Sequence, residues 1–252
     1  MTARQARGRA AAAPALVLAA HGARSGHWES VMESLAARVR QARPGRRVEL
    51  GFLEISEPPL AGVLAEVPGP AVVVPLLLAG GYHVHIDLPA VVARTRPDAV
   101  VAGQLGPHPL LTSVLARRLA AAGLRSCDTV VLGAAGSSDP AALEDVRAAA
   151  RLLSVRLSRP VTAAYASAGA PSLEEALRHA REGLAPRIAV ASYLLAPGHF
   201  HDRLLDAGAD LVSAPIGADE DVAALVWTRY EEALERPAAV RAAAHRALRV
   251  VS

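Results

Sequence analysis

The chain repeats itself, and the repeat limits what it can fold into. VLAAHGAR at 17–24 aligns with VLGAAGSS at 131–138, an offset of 114. FLEISEPPL at 52–60 aligns with YASAGAPSL at 165–173, an offset of 113. VPLLLAGG at 74–81 aligns with ASYLLAPG at 191–198, an offset of 117, and Gly106 pairs with Gly217 at 111. Offsets this steady across four landmarks mean that one structural unit occurs twice.

Within each copy, short apolar runs alternate with longer amphipathic stretches. Strands are expected near 15–20, 47–53, 71–78 and 98–104, then near 128–134, 160–166, 187–195 and 209–214, each followed by a helix. That alternation predicts an α/β fold of two similar halves, each a four-stranded parallel sheet flanked by helices. Eight βα units in 252 residues also match the size of a (β/α)₈ barrel. Two facing open sheets and a doubled half-barrel both satisfy the offsets. The expected organisation is an N-terminal arm at 1–13, a first half at 14–124, a second at 125–237 and a C-terminal helix or tail at 238–252.

Composition narrows the class. Hydrophobic residues make up 52% but aromatics only 3%, so the core is expected to be aliphatic. No apolar run reaches the roughly 18 residues of a membrane span. All 27 basic residues are Arg and the net charge is +3, without the interleaved aromatics of a nucleic-acid surface. Cys127 stands alone and cannot form an internal disulfide, which fits a reducing cytoplasm. The opening AAAPALVLAAHGA has the look of a signal peptide, but its internal copy TVVLGAAG at 129–136 argues for a core strand at 15–20.

The repeat is also an internal control, because polar groups kept by one half alone are candidates for function. The first strand ends in His21-Gly22 in one half and Ala135-Gly136 in the other. Glu54 and Glu57 give way to Ser167 and Ala170. After the third strand, Tyr82-His83-Val84-His85-Ile86-Asp87 stands against His199-Phe200-His201-Asp202. Ungapped, His83 meets Phe200; with a one-residue gap both histidines persist. Ligands of parallel α/β sheets bind at the carboxyl ends of strands, where His21, Glu54 and His83 all fall. Two neutral imidazoles and a carboxylate suit a divalent transition metal, and imidazole also exchanges protons near neutral pH.

HGAR, FLEISEPPL and LLLAGGYHVHIDLP resemble the sirohydrochlorin cobalt- or ferrochelatase family, in its long form of two fused chelatase-like halves. Ala23 and Leu88 stand where that family usually has Ser and Ile. The resemblance implies a lyase that inserts a divalent metal, Fe²⁺ or Co²⁺, into a tetrapyrrole in siroheme or cobalamin biosynthesis. The metal is then substrate, and no organic cofactor is implied. His21 and His83 become the metal-binding and catalytic histidines, with Glu54 as helper. Arg24 is the first candidate to face the carboxylates of sirohydrochlorin, with Arg94 and Arg96 behind it, and Gly22, Gly81 and Tyr82 complete the substrate-contact set. The implied partner is the tetrapyrrole, not a nucleic acid or a membrane, and the protein is a monomer with pseudo-twofold halves or a weak dimer.

Other residues have plainer readings. His85 lies two residues from His83 and shares its face if the strand continues. Asp87 either caps the next helix or orients an imidazole. Glu57 is a helix N-terminal charge. His199 and His201 form a second metal site only if that half regains ligands it has lost. Trp227 packs, or lines a ring-binding surface. Two functional alternatives use the same residues: a carrier of metal or tetrapyrrole without catalysis, and a metal-dependent hydrolase built on His83 and His85.

Overall fold

The computed structural model describes residues 13–183 and 185–236. Apart from Ala13, the expected arm at 1–13 lies outside them, as does the tail at 238–252.

The two copies form two separate parallel sheets, so the architecture is neither a barrel nor a doubled half-barrel. In chain order the first half is β1 (Ala15–Ala20), α1 (Gly26–Ala42), β2 (Val48–Phe52), α2 (Leu60–Glu66), β3 (Ala71–Pro75), a π-helical turn (His83–Asp87), α3 (Leu88–Thr95), β4 (Val100–Val101) and α4 (Pro109–Ala121). The second half is β5 (Thr129–Ala134), α5 (Pro140–Leu157), β6 (Val161–Tyr165), α6 (Leu173–Glu182), β7 (Ile188–Tyr193), α7 (His199–Asp206), β8 (Leu211–Val212) and α8 (Glu220–Glu235). The sheets run β2-β1-β3-β4 and β6-β5-β7-β8. The third strand, expected to reach residue 78, ends at Pro75, although the Leu76 N–H still donates to the Ala19 carbonyl at 2.8 Å.

Every residue of β1 is buried because both faces of the sheet are covered. Leu16, Leu18 and Ala20 point into a core shared by the two halves. Ala15, Val17 and Ala19 point the other way, into a smaller core with residues of α2 and α3. The second sheet has its own outer core of the same kind, with residues of α6 and α7.

Helices join the halves by exchange. α8 of the second half packs on α1 and β3 of the first, and α4 of the first packs on α5 and β7 of the second. Equivalent arginines complete the exchange: Arg118 donates to the Ile216 carbonyl at 3.0 Å, and Arg229 to the Leu105 carbonyl at 3.0 Å. Trp227 belongs to this contact and not to a ring-binding surface. It is buried, its indole N–H donates to the Val39 carbonyl at 3.1 Å, and the Arg43 guanidinium lies 4.5 Å from its ring centroid.

The offset explains where the halves part. It is 117 at the start of β3 and β7, but 111 at the start of β4 and β8, so the first half carries six more residues between them. It spends them at the start of its third helix, where the π-helical turn precedes α3.

Candidate metal centre

Strand β1 lies between β2 and β3, and the chain passes from one side of it to the other. Such a reversal opens a crevice at the carboxyl ends of the strands. His21 follows β1 directly, held there by the continuing ladder: Leu53 N–H donates to the Ala20 carbonyl and Glu54 N–H to the His21 carbonyl, each at 2.9 Å. The crevice brings the His21 and His83 rings together, with centroids 4.1 Å apart and planes inclined at 56°.

Gly22 makes that approach of backbones possible. Its φ is +103°, and a Cβ there would sit 1.8 Å from the Glu54 carbonyl oxygen, so only glycine fits. Gly136 has φ +99° and the same crowding against Ala168. A feature present in both halves is scaffold, and Gly22 acts through the loop it permits. Buried Ser56 ties the loop from beneath, accepting from the Ala23 N–H at 3.1 Å.

Glu54 is exposed at the start of a three-residue turn in which the Ser56 N–H returns to the Glu54 carbonyl at 2.6 Å. The turn forces Ile55 to φ +63°, a conformation β-branched residues rarely adopt. Backbone strain of this kind collects at functional sites.

His83 opens the π-helical turn, whose widened spacing is seen in the Leu88 N–H bonding back to the His83 carbonyl. Four residues along a helical turn bring side chains onto one face. Asp87 therefore lies against His83, with Oδ2 2.6 Å from Nδ1. It makes no cap for α3, so of its two readings the orienting one holds. With Nδ1 engaged by Asp87, Nε2 is the nitrogen of His83 left to meet an ion. His21 Nδ1 is buried with no hydrogen-bond partner among the described residues. Glu54, His83 and Asp87 offer ligand atoms that all lie within 4.8 Å of one another. Asp87 is the member that sequence reading left out of the site, and its signal was the His-x-x-x-Asp spacing, which faces together only on a helical turn.

The same turn separates His85 from His83. Two residues along a helical turn are close to half a revolution, so the shared face expected of a strand does not arise. The His85 ring instead lies against Gly80, where an added Cβ would come 2.7 Å from its Nε2.

Of the other expected residues, Arg24 is exposed in the turn leading to α1, and Arg94 is exposed on α3. Arg96 is neither a cleft cation nor a solvated charge. Its guanidinium donates to the carbonyls of Leu64, Val67 and Gly69 and pairs with Asp98 at 2.9 Å, clamping the connection between α2 and β3. Gly81 leads into the turn, and Tyr82 is 61% exposed with its ring edge-on to His83 at 6.0 Å. Ile55 and Ile86 are exposed as well, so an apolar rim adjoins the ligand atoms.

The second half has no such centre among its described residues. Ala135 replaces His21, and Ser167, at the position of Glu54, donates to the Ala135 carbonyl at 2.6 Å. His199 stacks on Phe200 at 5.4 Å, and His201 Nε2 lies 3.4 Å from the Ser213 carbonyl oxygen. Both histidines start a helix that lacks the π-helical turn.

Known proteins share this design. The CbiX family model matches residues 15–122 and again 129–233. A sirohydrochlorin cobaltochelatase of Methanopyrus kandleri is 34% identical over 79 residues, 30% of this chain and 55% of that protein, so the chain spans about half of that relative's length. The sirohydrochlorin cobaltochelatase of Sulfolobus acidocaldarius is 32% identical over 106 residues, 40% of this chain and 85% of that protein. The structure of SirB from Bacillus subtilis with Fe³⁺ superposes with a TM-score of 0.75 at 22% identity, over 87% of this chain and 95% of that one, a likeness of fold. Matched once by each of its halves, the chain belongs to the CbiX family.

Proposed function

We propose that this protein is a sirohydrochlorin chelatase that inserts Fe²⁺ or Co²⁺ into the macrocycle at the site formed by His21, Glu54, His83 and Asp87. The observation that carries the reading is the cluster of Glu54, His83 and Asp87 ligand atoms, with the His21 ring against His83 and an exposed apolar rim beside them, found in one half only among the described residues. Insertion requires that a hydrated ion lose waters, meet the ring face and displace two pyrrole protons. His83 Nε2 and His21 Nδ1 are neutral donors, strong enough to replace water and weak enough to release the ion. Asp87 holds the His83 ring in one orientation and fixes its tautomer. Glu54, exposed to solvent, accepts the two pyrrole protons in turn and passes each to water. Ile55, Tyr82 and Ile86 carry the flat face of the ring, and Arg24 meets its carboxylates.

The nitrogen and oxygen ligand set accepts either ion, so the metal supplied selects siroheme or cobalamin as the end product. Among the described residues no helix is long and apolar enough to cross a membrane. The test is to incubate the purified protein with sirohydrochlorin and either ion and follow the absorption of the macrocycle. Accelerated conversion is expected. Binding of the ring with no rate above the metal-only background would make the protein a carrier.

A further inference from the structure

The second half lacks the ligands, yet it holds the loop that presents them. Asp145, on α5, reaches across to the first half. Its Oδ2 accepts from the Gly80 N–H at 2.7 Å and from Gln104 Nε2 at 3.1 Å. Tyr193, at the end of β7, donates to the Leu78 carbonyl of the same loop at 3.0 Å. The carbonyl of Gly81, the residue after Gly80, accepts from Val84 N–H at 3.0 Å and His85 N–H at 2.9 Å, which starts the π-helical turn. Asp145 thus anchors Gly80, the residue just before the one whose carbonyl starts the turn that aims His83.

The contact is one-way. Helices α1 and α5 match at an offset of 114, and buried Met32, Leu35, Ala36 and Val39 correspond to buried Val146, Ala149, Ala150 and Leu153. Asp145 therefore stands where the first half has Val31. At the offset of 117, Gly80 corresponds to Pro197, which has no N–H to donate, and Tyr193 corresponds to Leu76. Both partners needed for the reciprocal contact are missing, while the helix exchange and the arginine clamp remain symmetric. Shared packing does not produce this asymmetry.

We propose that Asp145 is a positioning residue for His83, and that the ligand-free half serves as the template holding the metal-binding loop of the other. The inference rests on the reading of His83 as a metal ligand. By analogy with the loss of groups that orient metal ligands, Asp145→Ala should weaken Co²⁺ binding by roughly 10–100-fold. Asp145→Asn, which keeps an acceptor oxygen for the Gly80 N–H, should recover most of it.

The deciding measurement on the full chain needs no metal: the His83 imidazole N–H resonance and the hydrogen exchange of the Val84 and His85 amides. Asp145→Ala should shift the resonance and speed exchange at these amides at least about tenfold, with the core amides of β1 and β5 unchanged, and Asp145→Asn should restore both. An unchanged resonance and unchanged exchange in the folded variant overturn the proposal, as does faster exchange spread evenly over both halves. Failure of the unsubstituted protein to convert sirohydrochlorin would instead overturn the proposed function, and the metal-free readout would still decide the role of Asp145.

Discussion

His83 Nδ1 lies 2.6 Å from Asp87 Oδ2, one helical turn further along the same face. An imidazole so held has its other nitrogen fixed in one direction, in a ring whose centroid lies 4.1 Å from that of His21. Asp87→Asn keeps the shape but exchanges an anionic acceptor for a neutral amide. We expect Co²⁺ affinity to fall by roughly 10–100-fold, read by titration of the cobalt absorption bands, with the melting temperature nearly unchanged. Equal affinity in the two proteins would show that the pair does not orient the ligand.

The two histidines are expected to act together. His21→Ala and His83→Ala should each lower kcat/KM for metal insertion by more than about 100-fold, the scale of removing a group that works directly on the reacting atoms. His199→Ala, in the half without a ligand cluster, should leave the rate within about twofold. Comparable losses at His199 would move the active site to the other half.

Ile55 stores strain beside Glu54, at φ +63° with 61% of its surface exposed. Replacing it with glycine relieves the backbone and removes an exposed side chain that buries little. Urea unfolding should show Ile55→Gly more stable by about 1 kcal/mol. The same variant should bind the macrocycle less tightly, because one side of the apolar rim is gone. A less stable variant would mean that the turn is relaxed around isoleucine.

His108 gives the fold a pH dependence outside the metal centre. Its Nδ1 accepts from the Leu110 N–H at 3.2 Å and so caps α4, a role only the neutral ring performs. Burial and then the Arg229 charge lower its pKa below 6.5, against a smaller opposing pull from Glu232. The unfolded chain binds the proton more readily, so stability falls as pH drops from about 6.5 through the lower folded value. His108→Asn, which caps without titrating, should flatten that slope between pH 7.5 and 5.5 in unfolding experiments.

Much of this was legible in the amino acids. The apolar runs and their spacing mark eight parallel strands, since both faces of every central strand are buried and the pattern is local to each strand, while the choice of two sheets over a doubled half-barrel came from the structure. The four offsets determine the duplication, and the fall from 117 to 111 already marks extra residues in the first half between Gly81 and Gly106. Subtracting one half from the other singles out His21, Glu54 and Glu57, whose loss is visible without coordinates, but leaves His83 open, because a one-residue gap keeps both histidines.

Tertiary structure alone decided the rest. The segment holding His83, His85 and Asp87 reads as an extended continuation of a strand, yet it folds as a π-helical turn beside a Gly80 N–H bonded to Asp145 of the other half. That choice reverses the partners of His83, turning His85 away and bringing Asp87 in. The bond from Gly80 to Asp145 likewise comes from distant segments packed together. Periodicity in a sequence records which residues are buried. Which side chains meet at the ends of strands, and which half steadies the other, is set by contacts between residues far apart in the chain.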